Sequence, residues 1–173
     1  VPRLGGLAVP LLPGAVDPAI SPDGSRIAYA TVSASGMTRI AVSELGRPER
    51  AATLTGDDDG FLDHRNPAWS PDGEALCYSD FRDLWLVSLP HGRPRRLTTD
   101  QARDRFPVWT SDGRYLFFSS SRRGTQAIWR IPARGGEAQR FTLGTGPEAK
   151  PSLSRDGRRL AYMPATRDFR TWK

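Results

Sequence analysis

The sequence predicts an all-β protein built from one repeated four-stranded antiparallel unit. Three observations predict it. A motif of the form Pro-x-(Ile/Trp/Leu)-(Ser/Thr)-x-Asp-Gly occurs four times, with its Asp at 23, 72, 112 and 156, so its spacings are 49, 40 and 44 residues. A short apolar run follows every copy, and no stretch of the chain needs a helix. The 17 Gly and 15 Pro fit a structure made of short strands and many turns, and 173 residues is a one-domain length.

The first two strands of each unit flank the motif. Its copies are Pro18-Ala19-Ile20-Ser21-Pro22-Asp23-Gly24, Pro67-Ala68-Trp69-Ser70-Pro71-Asp72-Gly73, Pro107-Val108-Trp109-Thr110-Ser111-Asp112-Gly113 and Pro151-Ser152-Leu153-Ser154-Arg155-Asp156-Gly157. Pro at the first turning position presets φ, Asp follows, and Gly supplies the left-handed conformation that returns the chain into a sheet. Ser111 and Arg155 replace the Pro in the last two copies, which this position accepts, whereas a positive φ penalises any residue with a Cβ. The motif is therefore a hairpin turn. The strands leaving it are Ile27-Ala28-Tyr29-Ala30, Leu76-Cys77-Tyr78, Leu116-Phe117-Phe118 and Leu160-Ala161-Tyr162-Met163.

A third strand is expected at Arg39-Ile40-Ala41-Val42, Leu84-Trp85-Leu86-Val87 and Ala127-Ile128-Trp129-Arg130-Ile131. A fourth is expected at Ala52-Thr53-Leu54-Thr55, Arg95-Arg96-Leu97-Thr98 and Gln139-Arg140-Phe141-Thr142. The second strands are apolar at consecutive positions, so both faces of each small sheet are covered, as when blades stack around an axis. That arrangement is a β-propeller. Its expected parts are residues 1–16 as the end of a preceding blade or a closing strand, blades at 17–65, 66–105 and 106–150, and a partial blade at 151–173.

These residues carry a family resemblance. Ser70-Pro71-Asp72-Gly73, Leu84-Trp85 and Arg96-Leu97-Thr98, with Trp109-Thr110-Ser111-Asp112-Gly113, Ile128-Trp129, Gly135-Gly136 and Arg140-Phe141-Thr142, resemble the TolB-type, WD40-like propeller repeats of bacteria. The resemblance covers essentially the whole chain. It implies a ring of six or more blades, about 240 residues or more at 40 to 45 per blade, so the chain reads as about three complete blades plus a partial fourth. A closed ring of four blades, with Val9-Pro10-Leu11-Leu12 as the missing outer strand, is the alternative. The resemblance further implies a binding scaffold for a protein, peptide or glycan, as a periplasmic envelope component or the sensory half of a bacterial regulator. The second family role is the gating propeller of a serine peptidase similar to prolyl oligopeptidases and dipeptidyl peptidases, whose catalytic domain would lie outside these residues.

No catalytic constellation is read from the residues. The two His, His64 and His91, are expected in exposed loops, there is no G-x-S-x-G elbow, and Cys77 sits at a core position of a second strand. No cofactor and no membrane span are expected. The net charge of +6 comes almost entirely from Arg, in clusters such as Arg93, Arg95 and Arg96 or Arg122 and Arg123. Nothing in the sequence gathers them into one groove, so a nucleic-acid partner is not expected. The Trp residues are read as core, with some indole N–H groups bonding to loop carbonyls between blades.

What differs between copies is the connection Gly56-Asp57-Asp58-Asp59-Gly60-Phe61-Leu62-Asp63-His64, longer than its equivalents and acidic in a basic chain. Asp57, Asp58, Asp59, Asp63 and His64 are the candidate recognition loop. With Gly60 set at the sixth position of a calcium loop, Thr55 and Asn66 fall where an Asp and a bidentate Glu are needed, so no metal is assigned. By contrast Asp23, Gly24, Asp72, Gly73, Asp112, Gly113, Asp156 and Gly157 are read as structural.

Overall fold

The computed structural model describes residues 12, 14–32, 36–56, 63–80, 82–144 and 147–164. The acidic residues 57–59, the closing strand proposed at 9–12 except for Leu12, and Trp172 lie outside the described residues. Within each sheet every described strand pairs antiparallel with its neighbours in sequence, and no described residue is helical.

Blade 1 contains β1 (Val16–Ile20), β2 (Arg26–Val32), β3 (Thr38–Glu44) and β4 (Arg47–Thr53) in spatial order 1-2-3-4. Blade 2 repeats this order with β5 (Arg65–Trp69), β6 (Ala75–Ser79), β7 (Leu84–Ser88) and β8 (Arg95–Arg96), and blade 3 with β9 (Asp104–Trp109), β10 (Tyr115–Ser120), β11 (Ala127–Pro132) and β12 (Gln139–Arg140). A last hairpin pairs β13 (Glu148–Leu153) with β14 (Leu160–Pro164). The expected fourth strands thus shrink to two residues in blades 2 and 3, and their Thr98 and Thr142 fall just past the strand.

The turn chemistry is as the motif requires. Gly24, Gly73, Gly113 and Gly157 have φ of 74°, 75°, 69° and 68°. In the first copy the N–H of Gly24 bonds to the carbonyl of Ser21 at 2.9 Å, and the other three turns close in the same way. The Ser/Thr and Asp act together. Ser70 Oγ donates to Asp72 Oδ1 at 2.5 Å and accepts the N–H of Ala75 at 2.9 Å, while Asp72 Oδ1 also accepts the N–H of Glu74 at 3.0 Å. Corresponding bonds recur around Asp23, Asp112 and Asp156.

Stacking of successive blades builds the core. Ala28, Ala30 and Ile40 of blade 1 meet Trp69, Leu76, Tyr78 and Val87 of blade 2, and Cys77, Leu84, Leu86 and Leu97 on the other face of blade 2 meet Leu116, Phe118, Trp129 and Ile131 of blade 3. β2, β6 and β10 are buried at consecutive positions for this reason. The indoles tie blades as well: Trp69 Nε1 donates to the carbonyl of Ala19 at 2.9 Å and Trp109 Nε1 to that of Ala68 at 3.1 Å, each reaching back to the preceding inner strand. Inner strands β1, β5, β9 and β13 pack in succession, and among the described residues β13 is not packed on β1. The described blades form an open arc, so the four-bladed ring is not formed by them.

Candidate functional site

The four hairpin turns lie at one end of the inner strands, and the connections between blades lie at the other. At the connection end, each inner strand carries one non-Gly residue in the left-handed region: Asp17, Asn66, Phe106 and Lys150, with φ of 53°, 52°, 56° and 50°. Each stands immediately before the Pro that opens a motif, and each falls inside a register shift between first and second strands. The Pro has no N–H to give to the ladder, so the strand bulges there and re-aims the preceding side chain. Phe and Lys are uncommon at this φ, and strain of about 1–3 kcal/mol per residue persists only where the surroundings impose it. Here they do: Asp17 Oδ2 accepts the N–H and the Nδ2 of Asn66, both at 3.2 Å, and Ser119 Oγ accepts the N–H of Lys150 at 3.0 Å. Lys150 Nζ stands 5.5 Å from the centroid of Phe106. Beside them a cavity of about 320 Å³ is lined by Asp17, Asp63, Arg65, Asn66, Asp80 and Phe106, among others.

The described part of the candidate recognition loop does not behave as expected throughout. Asp63 is partly exposed, and its Oδ1 accepts from Thr38 Oγ1 at 2.6 Å and from Arg65 Nε at 2.9 Å. Burial pushes its carboxyl up, but Thr38 and Arg65 outweigh that and hold it below the usual range. His64, in contrast, is not an exposed loop residue: it is 1% exposed, its Nδ1 is hydrogen-bonded to Thr55 Oγ1 at 2.9 Å, and its ring meets the edge of Tyr78. The burial of His64 has a general cause. Thr55, Thr98 and Thr142 each accept, on their hydroxyl, an N–H from the first three residues of the third strand of their own blade, that of Ile40, Leu84 or Ile128, all at 3.0 Å. The residue entering the next inner strand, His64, Asp104 or Glu148, is buried beside that hydroxyl, and Glu148 Oε2 accepts from Thr142. A polar clasp therefore recurs at every described junction. His91 is exposed, as expected.

One group was invisible in the sequence. Asp83, Asp100 and Asp104 offer carboxylate oxygens within 4.8 Å of one another at the junction of blades 2 and 3. Arg96 pairs with Asp83, and Arg122 with Asp100 at 3.0 Å and Asp104 at 2.8 Å. Burial pushes Asp104 up to about 6, with the neighbouring charge of Asp100 adding to the effect, and burial also raises Asp83. Burial pushes the Cys77 thiol up as well, away from thiolate chemistry. The Arg clusters are in part committed to structure, since Arg95 Nη2 also donates to the carbonyl of Ala133 at 2.6 Å, across to blade 3.

The family model that describes the TolB beta propeller domain matches residues 13–171. The chain belongs to the TolB beta-propeller domain family. This TolB-type propeller is 28% identical over 155 residues to an uncharacterized protein of Agrobacterium fabrum, with 85% of the chain and 50% of that protein covered. The solved structure of a putative TolB from Agrobacterium tumefaciens superposes with a TM-score of 0.76 at 28% identity, over 84% of this chain and 52% of that one. A puromycin-hydrolyzing peptidase of Mycobacterium tuberculosis shares the fold, with a TM-score of 0.66 at 20% identity, over 86% of this chain and 27% of that one. The chain spans about half the length of the first two relatives.

Proposed function

We propose that this propeller is a non-catalytic recognition module, and that a protein, peptide or glycan partner docks at the end of the axis that carries the connections between blades. The observation that carries this reading is the convergence there of Asp17, Asn66, Phe106 and Lys150, which share a strained backbone conformation but not a side-chain type. A structural requirement alone would favour Gly or Asn at all four positions. Instead the scaffold holds an acid, an amide, an aromatic and a base at equivalent places, which is a surface with directional chemistry. Candidate recognition loops are residues 57–66, 99–106 and 143–150, with Asp57, Asp58, Asp59 and Asp63 as the acidic part of the first. The family supports an extracytoplasmic setting, as an envelope component or a sensory domain. Further blades and fused domains belong to this proposal.

The test is a comparison of two surfaces. Partners cross-linked to the full chain should be lost from a Phe106→Ala/Lys150→Ala double variant and kept by Arg155→Ala at the turn end. Loss from both or from neither contradicts the assignment of the surface. The second reading, a propeller gating a serine peptidase, is favoured by the shared fold with the peptidase. A G-x-S-x-G segment in an α/β-hydrolase domain of the same gene product would establish it, and its absence from the complete gene product would dismiss it.

A further inference from the structure

The junction of blades 2 and 3 contains a cavity of about 390 Å³, whose lining includes the apolar Leu97, Ile131 and Ala138 together with Trp129, Asp100, Glu137, Arg122 and Arg123. Two buried polar atoms of these lining residues have no hydrogen-bond partner, the Nε1–H of Trp129 and Oδ1 of Asp100. Trp129 is 4% exposed. Buried donors and acceptors are rarely left unmade, and a cavity holding one of each is complementary to a ligand that offers the reverse pair.

The internal repeat shows that the indole need not be orphaned. Trp85 occupies the equivalent place in blade 2, and its Nε1 donates to Asp80 Oδ2 at 2.7 Å. In blade 3 the place of Asp80 is taken by Ser120, whose Oγ accepts the N–H of Arg122 at 3.3 Å and its Nε at 2.9 Å instead. Arg122 and Arg123 stand 4.6 and 5.7 Å from the Trp129 ring centroid. So the departure from the repeat frees a donor beside two guanidinium groups.

Charge defines the other half of the ligand. Asp83, Asp100 and Asp104 lie together, with Glu137 in the cavity lining, and the cations around them are Arg96, Arg122 and Arg123, which leaves one carboxylate charge in excess around the free oxygen of Asp100. A cationic donor fits that oxygen better than a neutral one. We propose that this cavity binds an α-amino-acid unit with a free amine, its ammonium on Asp100, its adjacent carbonyl or carboxylate oxygen on the Trp129 indole and Arg123, and an aliphatic side chain against Leu97, Ile131 and Ala138. The source is either a free amino acid or the amino end of a peptide. Asp100 belongs to the 99–106 connection of the proposed recognition surface, but the probes and the Ala138→Leu variant read this cavity alone, so failure here is distinguishable from failure of the Phe106→Ala/Lys150→Ala test.

The test uses the full chain with three probes, L-leucine amide, L-leucine and N-acetyl-L-leucine amide, read by the indole ¹H–¹⁵N resonance assigned through Trp129→Phe and by calorimetry. L-leucine amide should shift the Trp129 resonance saturably, and acetylation of the amine should weaken binding about ten-fold or more. Binding of L-leucine as well points to a free amino acid, and binding of the amide alone points to a peptide terminus. Asp100→Asn should weaken binding about ten-fold. Because Asp100 also holds Arg122, Ala138→Leu serves as a second variant that fills the cavity and leaves the polar atoms in place; it should abolish the shift. No saturable shift with any probe, equal binding of the acetylated probe, or full binding by Ala138→Leu overturns the proposal.

Discussion

Asp23, Asp72, Asp112 and Asp156 hold their hairpins through carboxylates that accept one hydroxyl and one backbone N–H or more, and these bonds keep all four below the usual carboxylate range. A group whose folded pKa is depressed contributes stability above its unfolded value, about 3.9, and loses it as pH falls further. Asp104 has the opposite sign. Burial raises it to about 6, so the folded chain retains a proton that the unfolded chain releases, and this group favours folding below pH 4 and progressively less as pH rises through 6. Thermal melts across pH 4–7 should show a decline towards neutral pH that Asp104→Asn makes shallower, the remainder coming from Asp83, which burial also raises; an identical slope in the variant contradicts the assignment. At the turns, Gly113→Val should cost about 1–3 kcal/mol through strain at positive φ, measured by urea unfolding. Lys150 already carries this cost at φ of 50°, so Lys150→Gly should be neutral to stabilising, whereas Lys150→Val, β-branched at the same φ, should be destabilising.

Strands and their junctions depend on bonds that the pattern announces only in part. The motif made the hairpins legible because its turn is closed by residues within five positions of one another, Ser70 with Asp72 and Ala75 for example. The closing Thr was legible as part of a repeat, but its task was not: Thr98 Oγ1 accepts the N–H of Leu84 at 3.0 Å and donates to Asp83 Oδ1 at 3.3 Å, and these partners lie 14 and 15 residues away. Thr98→Val should therefore leave a buried N–H unpaired and cost about 1–3 kcal/mol, while Thr98→Ser should retain most of the stability; equal loss in both variants would point to packing instead. The burial of His64 escapes the pattern for the same reason. Its loop composition predicts exposure, but its neighbours Thr55 and Tyr78 are supplied by two different blades.

At the scale of the whole molecule, the described blades form an arc whose ends differ from its middle. Blade 2 is covered on both faces, but in β14 Tyr162 and Met163 are 42% and 55% exposed, and at the other end Ile20 and Val32 are 60% and 57% exposed. Apolar faces of this kind associate. The chain by itself should therefore show a concentration-dependent sedimentation coefficient, and Tyr162→Lys/Met163→Glu should shift it towards the monomer without lowering the melting temperature. A monomer at all concentrations would contradict this reading.

The sequence by itself determined the repeat, the strand order within each blade, the left-handed Gly of each turn and the core role of Trp69 and Trp109. Those features rest on hydrogen bonds and alternations spanning a few residues, which a linear pattern records. Only the tertiary structure decided that His64 is buried, that Asp83, Asp100 and Asp104 meet, and that Asp17, Asn66, Phe106 and Lys150 converge on one end of the axis. Such contacts depend on how blades stack and where a bulge turns a side chain, and residues separated by a whole strand or a whole blade, such as His64 and Tyr78 or Asp17 and Asn66, become neighbours without leaving a mark in the sequence between them.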